Sequence, residues 1–225
     1  MDLGGSTFAI PKLREKPAIG VARIAARASI ADALALLDQP PLELVFRLNA
    51  DLGEVAGRAE VTAELTMPLI RKLPLSQVAA QADAMLSEVA LRSPGSGLAV
   101  SSPRLSLTAD TAALALEGPA VIEGAPARIA WNERFGKGRS GRTLRVSARL
   151  DDAALDRLGF EQVQIREGAV DAELVLEGIE TPLARIDADL GAAALRVPDL
   201  AWRKPAGAPG RLSAEARLLP RGGVD

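Results

Sequence analysis

The sequence contains no cysteine and no histidine among its 225 residues. Their absence excludes thiol chemistry, imidazole acid–base catalysis and zinc sites built from the usual sulfur and nitrogen ligands. A chain without cysteine fits an oxidising compartment and a reducing cytosol equally well. The chain also has no excess of positive charge, because its net charge is −2 and its pI is about 5.4. That balance argues against nucleic acid as a partner, which would favour a basic stripe.

Aromatic residues make up only 3% of the chain, although 48% of its residues are hydrophobic. The apolar surface is therefore mostly Ala, Val and Leu, and such small side chains slightly favour a groove with room for a ligand. No run approaches the roughly 18 uncharged apolar residues that a membrane span needs. The amino-terminal residues lack the basic region and apolar core of a secretion signal. We therefore expect a soluble piece, with membership of a longer protein as one interpretation.

Apolar and polar residues alternate along most of the chain, which is typical of strands with one apolar and one wet face. After an irregular lead-in over residues 1–16, we expect one β segment over residues 17–225. The predicted fold is mainly β: an elongated, curled antiparallel sheet that forms a groove and carries short helices. Ser29 and Asp151 are the predicted caps of two of these helices. The Ala-rich run after Val78 is predicted to be a strand, with a helix as the alternative.

The predicted apolar face consists of four rows of alternating residues. These rows are Leu42, Leu44, Phe46 and Leu48; Ala59, Val61, Ala63 and Leu65; Leu144, Val146, Ala148 and Leu150; and Val170, Ala172, Leu174 and Leu176. Each Leu or Val that leaves water gains about 1.5–3 kcal/mol, so something must cover the rows. A second sheet, packed helices or a bound hydrophobic ligand would each suffice. The pattern alone favours a sandwich core.

A loose internal repeat begins at Ala26, Ala148 and Ala188, where a strand ends and a small Ala/Leu-rich element follows. Such repetition is typical of elongated repeat proteins, in which each unit covers the apolar side of its neighbour. Its irregular period makes the indication a modest one.

Residues 136–141, GKGRSG, match the dinucleotide-binding pattern G-x-G-x-x-G. That pattern holds a pyrophosphate only where a helix follows it. Residues 143–150 alternate like a strand, so we interpret the glycines as the tip of a hairpin.

Two groups of charged residues need an explanation. A basic cluster could hold a lipid headgroup or a phosphate, although a solvated loop is the favoured interpretation; it comprises Arg134, Lys137, Arg139, Arg142 and Arg145, with Arg203 and Lys204. The acidic residues Asp151, Asp152, Asp156, Asp187 and Asp189 lack the spacing of a known calcium loop. Helix capping and an outward strand face explain them, so we predict neither a metal site nor a catalytic site.

Three runs of residues resemble the AsmA-like family of Gram-negative bacteria, and its YhdP-type branch in particular. The first run comprises Gly124, Pro126, Ile129, Trp131, Glu133 and Phe135, and the second is the strand end ARLDD at residues 148–152. The third comprises Pro198, Asp199, Leu200, Trp202, Lys204, Pro205 and Gly207. Residues 35–73 agree in pattern, so the resemblance extends over nearly the whole chain.

The resemblance implies a long periplasmic protein that an amino-terminal helix anchors in the inner membrane. Its strands would form a trough along which phospholipids move between the inner and outer membranes, with acyl chains kept dry and headgroups in water. The four apolar rows would then be the lipid-binding wall of the groove. The implied partners are phospholipid acyl chains, the membrane anchor and further groove segments of the same long chain. No enzymatic activity and no cofactor are implied.

Ten to fourteen strands at about 4.8 Å each extend only about 50–65 Å, which is short for a bridge between two membranes. We therefore expect one segment of such a protein. An alternative, suggested for relatives in the same superfamily, is a scaffold for outer-membrane protein assembly or secretion that accepts an extended polypeptide. We expect Trp131 and Trp202 to fix helices or loops to the sheet rather than to contact lipid.

Overall fold

The computed structural model describes residues 2–39, 54–92, 97–135, 141–179 and 181–218. In these ranges the chain is mainly β, as predicted, with fourteen strands and two short α-helices. Eleven strands form one antiparallel sheet in the order β1-β2-β3-β4-β5-β6-β7-β8-β10-β11-β14. The sheet is open, with β1 and β14 at its edges. At about 4.8 Å per strand, it extends about 48 Å from edge to edge.

The strands of this main sheet are β1 (Thr7–Ala9), β2 (Ile19–Ser29), β3 (Val55–Pro68), β4 (Ala79–Arg92), β5 (Ala99–Asp110), β6 (Ala113–Ile122), β7 (Ala125–Arg134), β8 (Gly141–Leu150), β10 (Val170–Glu177), β11 (Leu183–Asp189) and β14 (Arg211–Arg217). A second sheet has the order β13-β12-β9 and comprises β9 (Gln164–Glu167), β12 (Ala194–Val197) and β13 (Trp202–Lys204). Helix α1 spans Ile30–Leu37 and helix α2 spans Asp152–Arg157, while Leu75–Gln77 and Pro198–Leu200 form 3-10 turns. None of the helices in the described ranges is long and apolar enough to cross a membrane.

Both α-helices begin where the sequence predicts a cap. The Ser29 side chain accepts a hydrogen bond from the Asp32 backbone N–H at 3.0 Å, and Asp151 accepts one from the Ala154 N–H at 2.8 Å. These bonds satisfy amide groups that the first helical turn would otherwise leave without a partner. At the turn between Ile122 and Ala125, Glu123 and Gly124 both have the positive φ that a tight hairpin turn requires.

The helices and the second sheet all lie at one end of the main sheet. Strands β2, β8 and β11 run in the same direction, because each is separated from the next by an even number of antiparallel steps. They end at Ser29, Leu150 and Asp189, where α1, α2 and the segment containing β12 and β13 begin. We call this the helix end. At the opposite end, the turn end, lie the β1–β2 and β3–β4 connections and the β5–β6 turn.

The structure corrects two predictions about local structure and confirms a third. The lead-in over residues 1–16 is not wholly irregular, because Thr7–Ala9 pairs with β2 and forms an edge strand. The run after Val78 is a strand throughout, β4, and the helical alternative is wrong. The three repeated elements also differ from one another: α1 and α2 follow the first two, whereas a turn and strand β12 follow Ala188. A short strand or helix is equally compatible with an Ala/Leu-rich run of this length.

Candidate functional site

One apolar row crosses ten strands of the main sheet without interruption. Its members are direct cross-strand neighbours from β2 to β14, and we call it the central row: Ala26, Val61, Ala84, Leu107, Leu116, Trp131, Leu144, Leu176, Ala184 and Ala216. Nine strand spacings of about 4.8 Å make it about 43 Å long. Only Ala184 in this row is buried, and the other nine residues remain partly exposed.

The chain itself covers the apolar face at the helix end. Beneath α1, a buried cluster joins Ile30 to Ala59, Val89 and Leu105 of the sheet. Beneath α2 and the second sheet, another cluster joins Leu155, Ile165 and Leu195 to Val170 and Ala188. Away from these clusters, apolar side chains such as Ile186, at 39%, stay accessible to solvent. The apolar face is therefore part core and part surface.

The twelve described residues of the predicted wall all lie on this face, but they do not all reach solvent. Residues of β8 and β10 face one another in the register Leu144–Leu176, Val146–Leu174, Ala148–Ala172 and Leu150–Val170. Ala59 and Val170 are buried in the two clusters, and Val61, Leu150 and Ala172 pack against them. The accessible part of the wall therefore lies nearer the turn end. Leu42, Leu44, Phe46 and Leu48 lie outside the described residues.

The opposite face of the sheet carries ladders of exposed ion pairs. Arg23 pairs with Glu64 at 2.8 Å, Arg27 with Glu60 at 3.0 Å, Arg145 with Glu173 at 3.0 Å and Arg185 with Glu215 at 3.0 Å. The hydrogen bond from Arg185 to Glu215, together with the charge of Glu215, raises the pKa of Arg185 above its ordinary value. Exposed pairs of this kind contribute little to stability, about 0–1 kcal/mol each. Their importance here is that they mark this face, which we call the charged face, as the one in contact with water.

A polar cluster interrupts the apolar face near the turn end, formed by Trp131, Glu133 and Arg142. One carboxylate oxygen of Glu133 accepts hydrogen bonds from the Arg142 Nε at 2.6 Å and from the Trp131 indole N–H at 3.2 Å. The Arg142 guanidinium also lies 5.5 Å from the centre of the Trp131 ring. The Glu133 side chain is 4% exposed and that of Arg142 is 19% exposed. The chain thus buries a charged pair beside the central row.

Known proteins provide no family for this arrangement. No family model, curated protein or solved structure matches the chain. Any functional assignment has to be argued from the surfaces just described.

The predicted basic cluster is not one solvated loop. Arg142 belongs to the polar cluster, and Arg145 pairs with Glu173 on the charged face. Lys204 is buried, and its ammonium group donates to the carbonyl oxygens of Ala193 at 3.0 Å, Pro205 at 3.1 Å and Gly191 at 3.4 Å. Arg134 and Arg203 are exposed, and Lys137 and Arg139 lie outside the described residues. The solvated-loop interpretation is wrong for Arg142 and Lys204, whose positive charges have partners inside the fold.

The positions of the two tryptophans also differ from expectation. Trp131 stands in the central row itself, between Leu116 and Leu144, rather than beneath a helix or loop. Trp202 is 44% exposed on β13 and so is not the anchor that we predicted. The alternation of Ala127, Ile129 and Trp131 already contained the signal for the first of these corrections.

Three open depressions, of about 410, 760 and 500 Å³, lie on the charged face. Their side chains alternate in sign, as in the largest one, which Arg128, Arg149, Asp171 and Asp187 help to line. Asp151 and Asp152 hold backbone amides around α2, and Asp187 accepts a hydrogen bond from Ser213 at 2.5 Å. No group of three or more acidic side chains in the described ranges is placed to hold a metal ion. Residues 136–140 of the G-x-G-x-x-G match lie outside the described residues, and the element that begins at Gly141 is strand β8 and not a helix.

Proposed function

We propose that the chain is a non-enzymatic segment of a periplasmic bridge-like protein of the AsmA-like type. In this proposal, phospholipid acyl chains lie along the accessible part of the apolar face while they pass between the inner and outer membranes. The observation that supports it most strongly is the central row, in which ten consecutive strands contribute an apolar side chain and nine of these stay partly exposed.

The dimensions of the row suit this ligand. The hydrocarbon core of a bilayer is about 30 Å thick, so an acyl chain in one leaflet spans about 15 Å. The central row is nearly three times as long, at about 43 Å. An acyl chain could therefore lie on it in several successive positions, and each Leu or Val that it covers would contribute part of the 1.5–3 kcal/mol available on full burial.

The distribution of charge suits an amphipathic ligand as well. Ion-pair ladders keep the charged face of the sheet in water. Of the two faces, the apolar face is therefore the one that an acyl chain can contact. Because the helices cover the helix end, the proposed path runs across the strands nearer the turn end. Leu144 and Leu176 are adjacent members of the central row on this path.

The test replaces Leu144 with Lys and Leu176 with Asp in the same chain. These two residues are directly opposed, and opposite charges at such positions support strand pairing. The double variant L144K/L176D should therefore fold while presenting a charged wall. We expect phospholipid that co-purifies with the parent chain to fall to background, as measured by mass spectrometry of extracted lipids. Far-ultraviolet circular dichroism would establish that the sheet is retained.

The matched control is Thr143→Lys with Val175→Asp, which adds the same two charges to the same strands on the charged face. It should retain the lipid content of the parent chain. A folded L144K/L176D protein that carries as much phospholipid as its control would remove the basis of the proposal.

A second function, a scaffold for extended polypeptides, is favoured by β14, which is an edge strand among the residues that the structure describes. All seven residues of β14 pair with β11 on one side, and the other side lies at the edge of the sheet. No proline interrupts this strand, although the charges of Arg211, Glu215 and Arg217 disfavour non-specific pairing with the edges of other sheets. A photo-crosslinker placed at Ile186 on the apolar face would distinguish the two functions, because it would capture lipid in one case and polypeptide in the other.

A further inference from the structure

One corner of the turn end brings together two connections of the main sheet. The β1–β2 connection, residues 10–18, lies beside the start of the β3–β4 connection, because the Leu69 N–H donates to the Ala18 carbonyl at 2.8 Å. The side chains of Phe8 and Leu69 close over Gly20 from two sides, and a Cβ atom added there would lie 2.8 Å from one and 2.9 Å from the other. We call residues 8–19 together with residues 69–73 the basic corner.

The corner exposes five large apolar side chains. Between 38% and 74% of each of these residues is accessible to solvent: Phe8, Leu13, Ile19, Leu69 and Ile70. Single exposed apolar residues are ordinary, but a group of them at one place indicates an interaction surface. Part of this group lies at the end of the apolar face, since Phe8 is the cross-strand neighbour of Ala22.

The same corner concentrates positive charge in a chain that is negative overall. Residues 8–19 and 69–73 contain five cations, Lys12, Arg14, Lys16, Arg71 and Lys72, and a single acid, Glu15. The corner therefore has a net charge of +4, against −2 for the whole chain. Lys12 pairs with Glu15 at 2.9 Å, and the other four cations form no ion pair with any residue that the structure describes.

We infer that the basic corner docks the chain on the surface of an anionic lipid bilayer. Such a surface binds a protein through Leu, Ile and Phe side chains, which insert at the boundary between headgroups and acyl chains. Lys and Arg side chains around them are attracted to the anionic headgroups. A single-stranded nucleic acid would require several aromatic stacking platforms, whereas Phe8 is the one aromatic residue of the corner. Docking in this way would turn the accessible end of the apolar face towards the bilayer.

This inference goes beyond the proposed groove, because docking does not require a lipid on the central row. The experiment is flotation of the full chain with vesicles of phosphatidylcholine alone and of phosphatidylcholine with phosphatidylglycerol. We expect binding to the anionic vesicles only, weakening as salt is added. Arg71→Gln with Lys72→Gln should lower the partition coefficient about fivefold for each cation, the factor that corresponds to about 1 kcal/mol. Leu69→Ser with Ile70→Ser should lower it about threefold to eightfold for each residue, given the exposed share of each side chain.

Two controls make equivalent changes at the helix end. Arg203→Gln with Arg211→Gln removes the same charge, and Leu200→Ser removes an apolar side chain that is 76% exposed. Both should float like the parent chain. If R203Q/R211Q and R71Q/K72Q lose equal amounts of vesicle binding, net charge alone drives binding. If both corner variants float like the parent chain, the corner is not the contact. Either result overturns the inference. The variant L144K/L176D should still float, so failure of the groove and failure of the corner give different results.

Discussion

The charged pair buried beside the central row leads to a prediction that can be worked out from the structure. Replacing Arg142 with Met leaves Glu133 without its guanidinium partner, in a position where only 4% of the Glu133 side chain is exposed. Breaking a buried pair by removing one partner costs about 3–5 kcal/mol, because the remaining charge is left in a poorly solvated site. We expect R142M to lower the free energy of unfolding by that amount. Glu133→Leu should cost less, about 1–3 kcal/mol, because the Arg142 side chain that it leaves behind is 19% exposed and reaches water.

The double variant E133L/R142M separates this explanation from a simple packing defect. Apolar residues that replace both members of a buried ion pair often leave stability unchanged or raise it. Leu114, the cross-strand neighbour of Glu133, would then meet another leucine. We therefore expect the double variant to lie within about 1 kcal/mol of the parent chain. Its cost should be at least about 3 kcal/mol less than the sum of the two single costs.

Urea unfolding measures all three variants, with far-ultraviolet circular dichroism as the probe of the sheet. A Trp202→Phe background leaves Trp131 as the one indole, and its emission then reports the environment of the cluster. The Arg142→Met change should shift this emission, since the guanidinium lies 5.5 Å from the ring. If the costs of the two single variants simply add in the double variant, the pair is not coupled and the reasoning is wrong.

Two further predictions concern the helix end. Ser29→Ala should lower the free energy of unfolding by about 1 kcal/mol in urea titrations, because the Asp32 amide loses its cap; an unchanged value would mean that packing of Ile30 alone holds α1. Lys204→Met should cost about 1–3 kcal/mol, because three carbonyl oxygens lose their shared donor. Hydrogen exchange should then accelerate in β12 and β13 while β3 and β4 stay protected, and uniform acceleration would contradict a local role.

Long alternation made most of the main sheet predictable. Ala59, Val61, Ala63 and Leu65 share a face, as their spacing requires, and so do the predicted rows of β8 and β10. The strands that escaped prediction, β1, β9, β12 and β13, have three or four residues each. A period of two needs more residues than that before it differs from chance, and these strands depend on pairing partners distant in sequence.

The polar cluster could have been found from the same alternation. Glu133 has the parity of Ile129 and Trp131, and Arg142 has the parity of Leu144, so both belong on the apolar face. Their charge suggested solvent instead, because a single buried charge is costly. What the pattern could not supply was the register that places each beside the other, in which Glu133 and Arg142 are direct neighbours.

Which part of the apolar face stays accessible follows from the direction of three strands. An amphipathic sheet must be covered, but alternation does not say by what or where. In an antiparallel order, β2, β8 and β11 point the same way, so the elements that follow them all arrive at one end. Helix α1, helix α2 and the second sheet therefore cover Ala59, Val170 and Ala188 there. Because these connections start at the helix end, they leave the central row partly exposed, and it is this asymmetry that makes a lipid path along the row physically reasonable.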